Sequence, residues 1–208
     1  MALVKYNNNS ISAITAASGL TSGVMTLIKE VTASASGTIQ FQDGTSDVVL
    51  DSTYPIYLFK FINVHPETNA VRFSFQGNAA GGSGYNETIT SASFRAYHNE
   101  NDGDQELGYE TGSDQAQGTA FQILDLSEVG NQNDECVSGY LWLFNPSSTT
   151  FVKHFIAQSV INAADDVIHV GHVSGYFNTT SAIDEIQFKM SSGDTDAGTF
   201  KLYGIKDS

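Results

Sequence analysis

Apolar and polar residues alternate at every second position in one short run after another along this chain. A helical period of about 3.6 residues almost never replaces that alternation. In Ala70-Val71-Arg72-Phe73-Ser74-Phe75-Gln76, Val71, Phe73 and Phe75 project one way and Arg72, Ser74 and Gln76 the other. Successive side chains of a strand point to opposite faces, so such a run has one face for a core. Ile186, Phe188 and Met190 alternate in the same way with Gln187 and Lys189, and Phe200 to Ile205 follows after a Ser-Ser-Gly-Asp turn. The run Ile56 to Ile62 is β-branched and aromatic on nearly both sides, as suits a central strand covered on each face. Pro55 stands at its start, where a missing donor is tolerated. Further strands are read at Ile39 to Phe41, Ile89 to Tyr97, Tyr140 to Phe144, Phe151 to Ile161 and Val167 to Phe177.

Clusters of Gly, Asn, Asp and Ser separate these runs, as hairpins and Greek-key connections require. Three prolines and the weak helical periodicity leave room for one helical turn, around Asp114 to Leu126. About ten to twelve short strands, with no linker and no fixed-period repeat, predict an all-β fold. The expected architecture is a single antiparallel β-sandwich, jelly-roll-like, over residues 23–208, preceded by a short N-terminal arm over residues 1–22. That arm, from Asn7-Asn8-Asn9-Ser10 to Thr21-Ser22-Gly23, is small and polar with isolated Ile11, Ile14 and Leu20.

Charge narrows the function. Of 208 residues, 23 are Asp or Glu and 9 are Lys or Arg, a formal charge of −14 at pH 7. Such a surface repels phosphate, which excludes nucleic-acid binding through a basic face. From Ala96 to Val152 there are ten acids and no Lys or Arg: Glu100, Asp102, Asp104, Glu106, Glu110, Asp114, Asp125, Glu128, Asp134 and Glu135. A solvated acidic face is the simplest reading of that stretch. No run approaches the roughly 18–20 apolar residues of a membrane helix. Met1 to Ser18 lacks the apolar core of a secretory signal, so the expectation is a chain made and folded in the cytosol.

The residues offer little catalytic chemistry. There is no Gly-x-Ser-x-Gly elbow. Cys136, the only cysteine, lies beside Glu135, which works against a thiolate, and it cannot form a disulfide within the chain. The histidines are His65, His98, His154, His169 and His172. His169 and His172 are three apart, so a regular strand sends them to opposite faces, and joint metal binding needs a bend at Gly171. Asn99-Glu100-Asn101-Asp102-Gly103-Asp104 has calcium-like composition, but Gly103 at the sixth position puts His98 first and Tyr109 twelfth, so a polar hairpin tip is preferred. Tyr85, Tyr97, Tyr109, Tyr140, Trp142, Tyr176 and Tyr203 sit mostly in strand patterns and read better as core than as a sugar-stacking groove. Gly77 to Gly84 reads as a flexible connection without the Lys-Ser/Thr of a phosphate loop. No catalytic residue, cofactor or metal ligand is assigned.

Several segments together resemble a family of virion structural proteins found in tailed phages of marine bacteria, cyanophages among them. They are Thr53-Tyr54-Pro55-Ile56-Tyr57-Leu58-Phe59, Asp114-Gln115-Ala116-Gln117-Gly118-Thr119, Leu143-Phe144-Asn145-Pro146-Ser147-Ser148, and Ala182 to Met190 continuing to Ile205. These are strand and turn signatures, and the similarity spans about residues 3 to 206. It implies a non-enzymatic component of a virion, assembled in the host cytoplasm. The expected role is a capsid decoration or cement protein that binds the major capsid protein on the outer head and forms a homo-oligomer, a trimer. The alternative is a tail fibre or appendage knob that binds a host surface glycan. Leu3 to Leu20 is the expected docking stretch. Gly77 to Gly84 and Asn99 to Ser113 are the expected outward or intersubunit loops. Neither nucleic acid nor membrane is an expected partner.

Overall fold

Among the described residues the alternation resolves into thirteen antiparallel strands in two sheets. The computed structural model describes residues 24–206, so the arm expected over residues 1–22 lies outside the described residues. The larger sheet begins β1 (Met25–Ser36), β13 (Thr195–Ile205), β3 (Ile56–Pro66) and β9 (Val137–Phe144). It continues through β10 (Lys153–Asn162), β11 (Val167–Phe177), β5 (Ile89–Asn99) and β6 (Gln105–Tyr109), with β7 (Ala116–Gly118) also paired to β5. The smaller sheet is β2 (Ile39–Gln42), β12 (Ile183–Met190), β4 (Phe73–Ala79) and β8 (Gln122–Ile123).

Chain order explains the topology. Strands β1, β2, β3 and β4 alternate between the sheets, and β8, β9, β12 and β13 return the same way. The path β1-β13-β3-β9 therefore belongs with β2-β12-β4-β8, the two four-stranded layers of a jelly roll. The remaining strands are insertions in two of its connections, and they widen one sheet only.

Phenylalanine fills the space between the layers. Phe188 of β12 lies among Phe41, Phe59, Phe61, Phe73, Phe75 and Phe200, drawn from both sheets. Phe61 meets Phe73 edge-on at 5.1 Å, and Phe75 meets Phe155 at 5.1 Å and 86°. Edge and offset contacts of this kind suit the ring quadrupole. Burying each such ring stabilises the fold by roughly 1.5–3 kcal/mol.

The helical turn expected within Asp114 to Leu126 is not there; β7, β8 and an extended segment take its place. The cause is burial of an extended segment on both of its sides. Leu124 and Leu126 are buried in the core, and between them the fully buried Asp125 accepts the Phe73 N–H at 2.7 Å. Its other oxygen stands 3.9 Å from Arg72 Nη1, and burial pushes the carboxyl up to about 8. Ser159 Oγ donates to Leu124 O and Arg95 Nη1 donates to Leu126 O, which ties this segment across β10 and β5. Gly171 is explained by the same packing, since a Cβ there would meet Leu126 Cγ at 2.8 Å. The strand needs no bend at that glycine: β11 keeps unbroken register with β10 and β5.

The flexible connection expected over Gly77 to Gly84 is also shorter than its composition suggested. Gly77, Asn78 and Ala79 belong to β4, because Phe177 packs where a Gly77 side chain would project.

Candidate functional site

Register along the larger sheet lines its outward side chains into rows. One row is Ile56, Phe144, His154, Tyr176 and Thr90; the next is Leu58, Trp142, Ile156, Ser174 and Ala92. A third is Lys60, Tyr140, Gln158, His172, Phe94 and Tyr109, and a fourth holds Val160, Val170, Ala96 and Leu107. The inward residues of the same strands, such as Phe59, Phe61 and Phe155, are buried against the smaller sheet.

Most of the exposed large apolar side chains among the described residues lie on this one face: Met25, Leu27, Ile62, Phe94, Leu107, Tyr109, Ile156, Val160 and Ile168. Val24 directly precedes β1, and Phe151 lines a hollow shared with Phe144 and His154 at the rim of the face. That hollow and its neighbour, of about 510 and 520 Å³, form a shallow apolar trough that includes Ile156 and Tyr176. Eight strands about 4.8 Å apart and four rows about 7 Å apart cover on the order of 700 Å². A standard protein interface uses roughly 800 Å² per partner. Scattered apolar residues are normal on a surface; here they are gathered on one sheet face, interspersed with Lys60, Gln158, His172 and Ser174.

Charge separates this face from the rest of the molecule. Five adjacent strands, β3, β9, β10, β11 and β5, contain no Asp or Glu, in a chain that has 23. They carry all five histidines, of which His98, His154 and His172 point outward. Lys60 lies over the Tyr203 ring at 5.3 Å, and Lys201 pairs with Glu30 of the edge strand at 2.9 Å.

The residues singled out in the sequence are redistributed by this arrangement. None of Tyr85, Tyr97, Tyr109, Tyr140, Trp142, Tyr176 and Tyr203 is in the buried core. Tyr109, Tyr140, Trp142, Tyr176 and Tyr203 stand on the outward face instead, because alternation specifies two sides without specifying which one is covered. His172 stacks on Phe94 outside at 4.8 Å, while His169 is buried inside, 5.5 Å from the Tyr97 ring. Asn99 to Asp104 forms the β5–β6 hairpin tip, closed by Asp102 N–H to Asn99 O at 3.0 Å and by Gly103 N–H to Asn101 Oδ1 at 2.8 Å. Within the loop expected over Asn99 to Ser113, Gln105–Tyr109 is strand β6. Cys136 is half-buried, and burial pushes its thiol up. The stretch Leu3 to Leu20 lies outside the described residues.

A second, polar feature lies on the inward side. Beyond β8 the smaller sheet ends, and Arg95, Tyr97 and Asn99 of β5, Glu106 of β6 and His169 of β11 border a groove of about 370 Å³. Tyr97 OH donates to Asp104 Oδ2 at 2.9 Å, and Arg95 Nε pairs with Glu110 at 2.9 Å. Among the described residues, no three His, Cys, Asp or Glu side chains are placed to hold a metal ion. Compared with known proteins, the chain matches no family model, no curated protein and no solved structure.

Proposed function

We propose that this chain is a non-enzymatic structural protein of a phage particle, a decoration protein that seats the outward face of its larger sheet on the head shell. The observation that carries this reading is the concentration of exposed apolar side chains on a sheet face whose five central strands carry no acid, in a strongly acidic molecule. Burying that face removes apolar area from water, and the remaining acids keep the particle surface negative and soluble. The partner's chemistry follows from the face: an apolar protein surface with carboxylates opposite Lys60 and Lys201. Association with sister copies into a trimer, and a docking role for Leu3 to Leu20, belong to the same proposal.

The test is add-back of purified chain to particles that lack it, with co-sedimentation as the readout. The native chain binds in fixed ratio to the major capsid protein, and Phe94→Glu/Ile156→Glu stays folded and unbound. A variant that binds as well as the native chain sinks the docking face. Light scattering that shows a dimer lost in the same variant assigns the face to a second copy instead. A second reading, an appendage knob for a host surface glycan, draws on the polar groove beside β6 and predicts a minor virion component.

A further inference from the structure

The groove beneath β5, β6 and β11 exists because the two sheets differ in width. The smaller sheet stops at β8, so inward positions beyond it meet the segment around Leu126 and then open space. Side chains there are polar where their counterparts under β4 and β12 are phenyl rings: Arg95, Tyr97 and His169, with Ser127 beside them. Asp104, Glu106 and Asp165 form its exposed rim.

His169 is the anomaly. It is 5% exposed, it lines the groove, and neither ring nitrogen has a hydrogen-bond partner among the described residues. Buried polar groups normally have partners, and one without any in the fold takes them from water or from a ligand that displaces it. Burial, with Arg95 nearby, holds its pKa below the ordinary histidine range, so the ring is neutral, with one N–H donor and one acceptor nitrogen. Its complement is a group that both accepts and donates, which a hydroxyl does.

The rest of the lining narrows the ligand further. Arg95 is already engaged by Glu110 and by Leu126 O, so Asp104, Glu106 and Asp165 leave the groove negative and repel an anion. These carboxylates accept hydrogen bonds from O–H groups. No three of the ligating side chains converge for a metal, and a hard cation would leave the imidazole N–H unanswered. Tyr97 adds an aromatic face of the kind that packs on the apolar side of a ring.

We infer that this groove binds an uncharged sugar unit of a glycan, with His169 at its floor, Tyr97 as platform and the carboxylates of Asp104, Glu106 and Asp165 as hydroxyl acceptors. The ligand reaches the imidazole when the Tyr97 phenol turns away from Asp104. Because the groove faces away from the apolar rows, sugar binding and particle docking are separate properties of one chain.

The experiment titrates the full chain, isotopically labelled, with neutral gluco-, galacto- and manno-oligosaccharides, a sialylated oligosaccharide, calcium chloride and zinc chloride, each alone. A neutral saccharide is expected to give saturable shifts in the His169 and Tyr97 ring signals, and the sialylated one none. His169→Phe keeps the buried volume, and its affinity is expected to fall at least tenfold with the fold intact. Should that variant misfold, the exposed Asp165→Asn takes its place, with a weaker but measurable loss. Phe94→Glu/Ile156→Glu binds the sugar normally, which separates this inference from the docking reading. The proposal is overturned if no neutral saccharide moves those signals, if both groove variants bind like the native chain, or if calcium or zinc alone saturates the groove.

Discussion

The two ends of the larger sheet are built from the same strands and solve different problems. At the end backed by β4 and β12, inward positions hold Phe59, Phe61, Phe155 and Phe200, close-packed against Phe73, Phe75 and Phe188. At the β5–β6 end no strand among the described residues lies opposite, and inward positions hold Arg95, Tyr97 and His169. The outward side does not follow that division: exposed apolar side chains run along it from β1 to β6, and its five central strands carry no acid. Inward composition therefore tracks what covers it, whereas the outward side keeps its apolar side chains exposed among the described residues.

That contrast can be broken from the core outward. Phe188→Ala empties the centre of the ring cluster and should cost about 3–5 kcal/mol in urea unfolding. A cost near that of a surface change would mean the two ends are packed alike. Next comes the buried carboxyl. Asp125 has a folded pKa of about 8 against an ordinary 3.8, so the native state holds the proton more tightly. Stability should fall as pH rises from about 4 to 8, by up to about 1.4 kcal/mol per unit, and Asp125→Asn should flatten that slope.

His169 has the opposite sign. Its folded pKa lies below the ordinary 6.5, so stability should be lost as pH falls through that value, and His169→Phe should remove this loss. Gly171→Ala presses on Leu126 and should cost about 1–3 kcal/mol by calorimetry, since the covering segment must shift. Smallest of all is the outward face: Phe94→Glu/Ile156→Glu should change stability by about 1 kcal/mol or less while abolishing docking. A large stability loss there would make the face structural.

The strands were legible because period two needs only local sequence: Val71, Phe73 and Phe75, or Ile186, Phe188 and Met190, announce their own face. The opposite placement of His169 and His172 follows from the same rule, and the regular β11 register has it. Asp114 to Leu126 reads as partly helical in sequence and is extended in the fold because its polar residues are held by distant partners. Gln122 Nε2, for example, donates to Ser113 O at 2.6 Å, and Asp125 is held by Phe73. The tyrosines misled in another way. A strand with apolar residues on both sides does not state which side meets the second layer, so Tyr140 and Trp142 read as core and stand outside it.

From the sequence alone came the all-β class, the positions of the longer central strands, the acidity and the lack of catalytic motifs, all consequences of composition and local spacing. The sheet widths, the clearing of acids from five adjacent strands and the burial of an unpartnered His169 came only from tertiary structure. Each depends on which strands become neighbours, and strands as distant as β5 and β11 are paired by the closure of the whole sandwich, not by anything local to either.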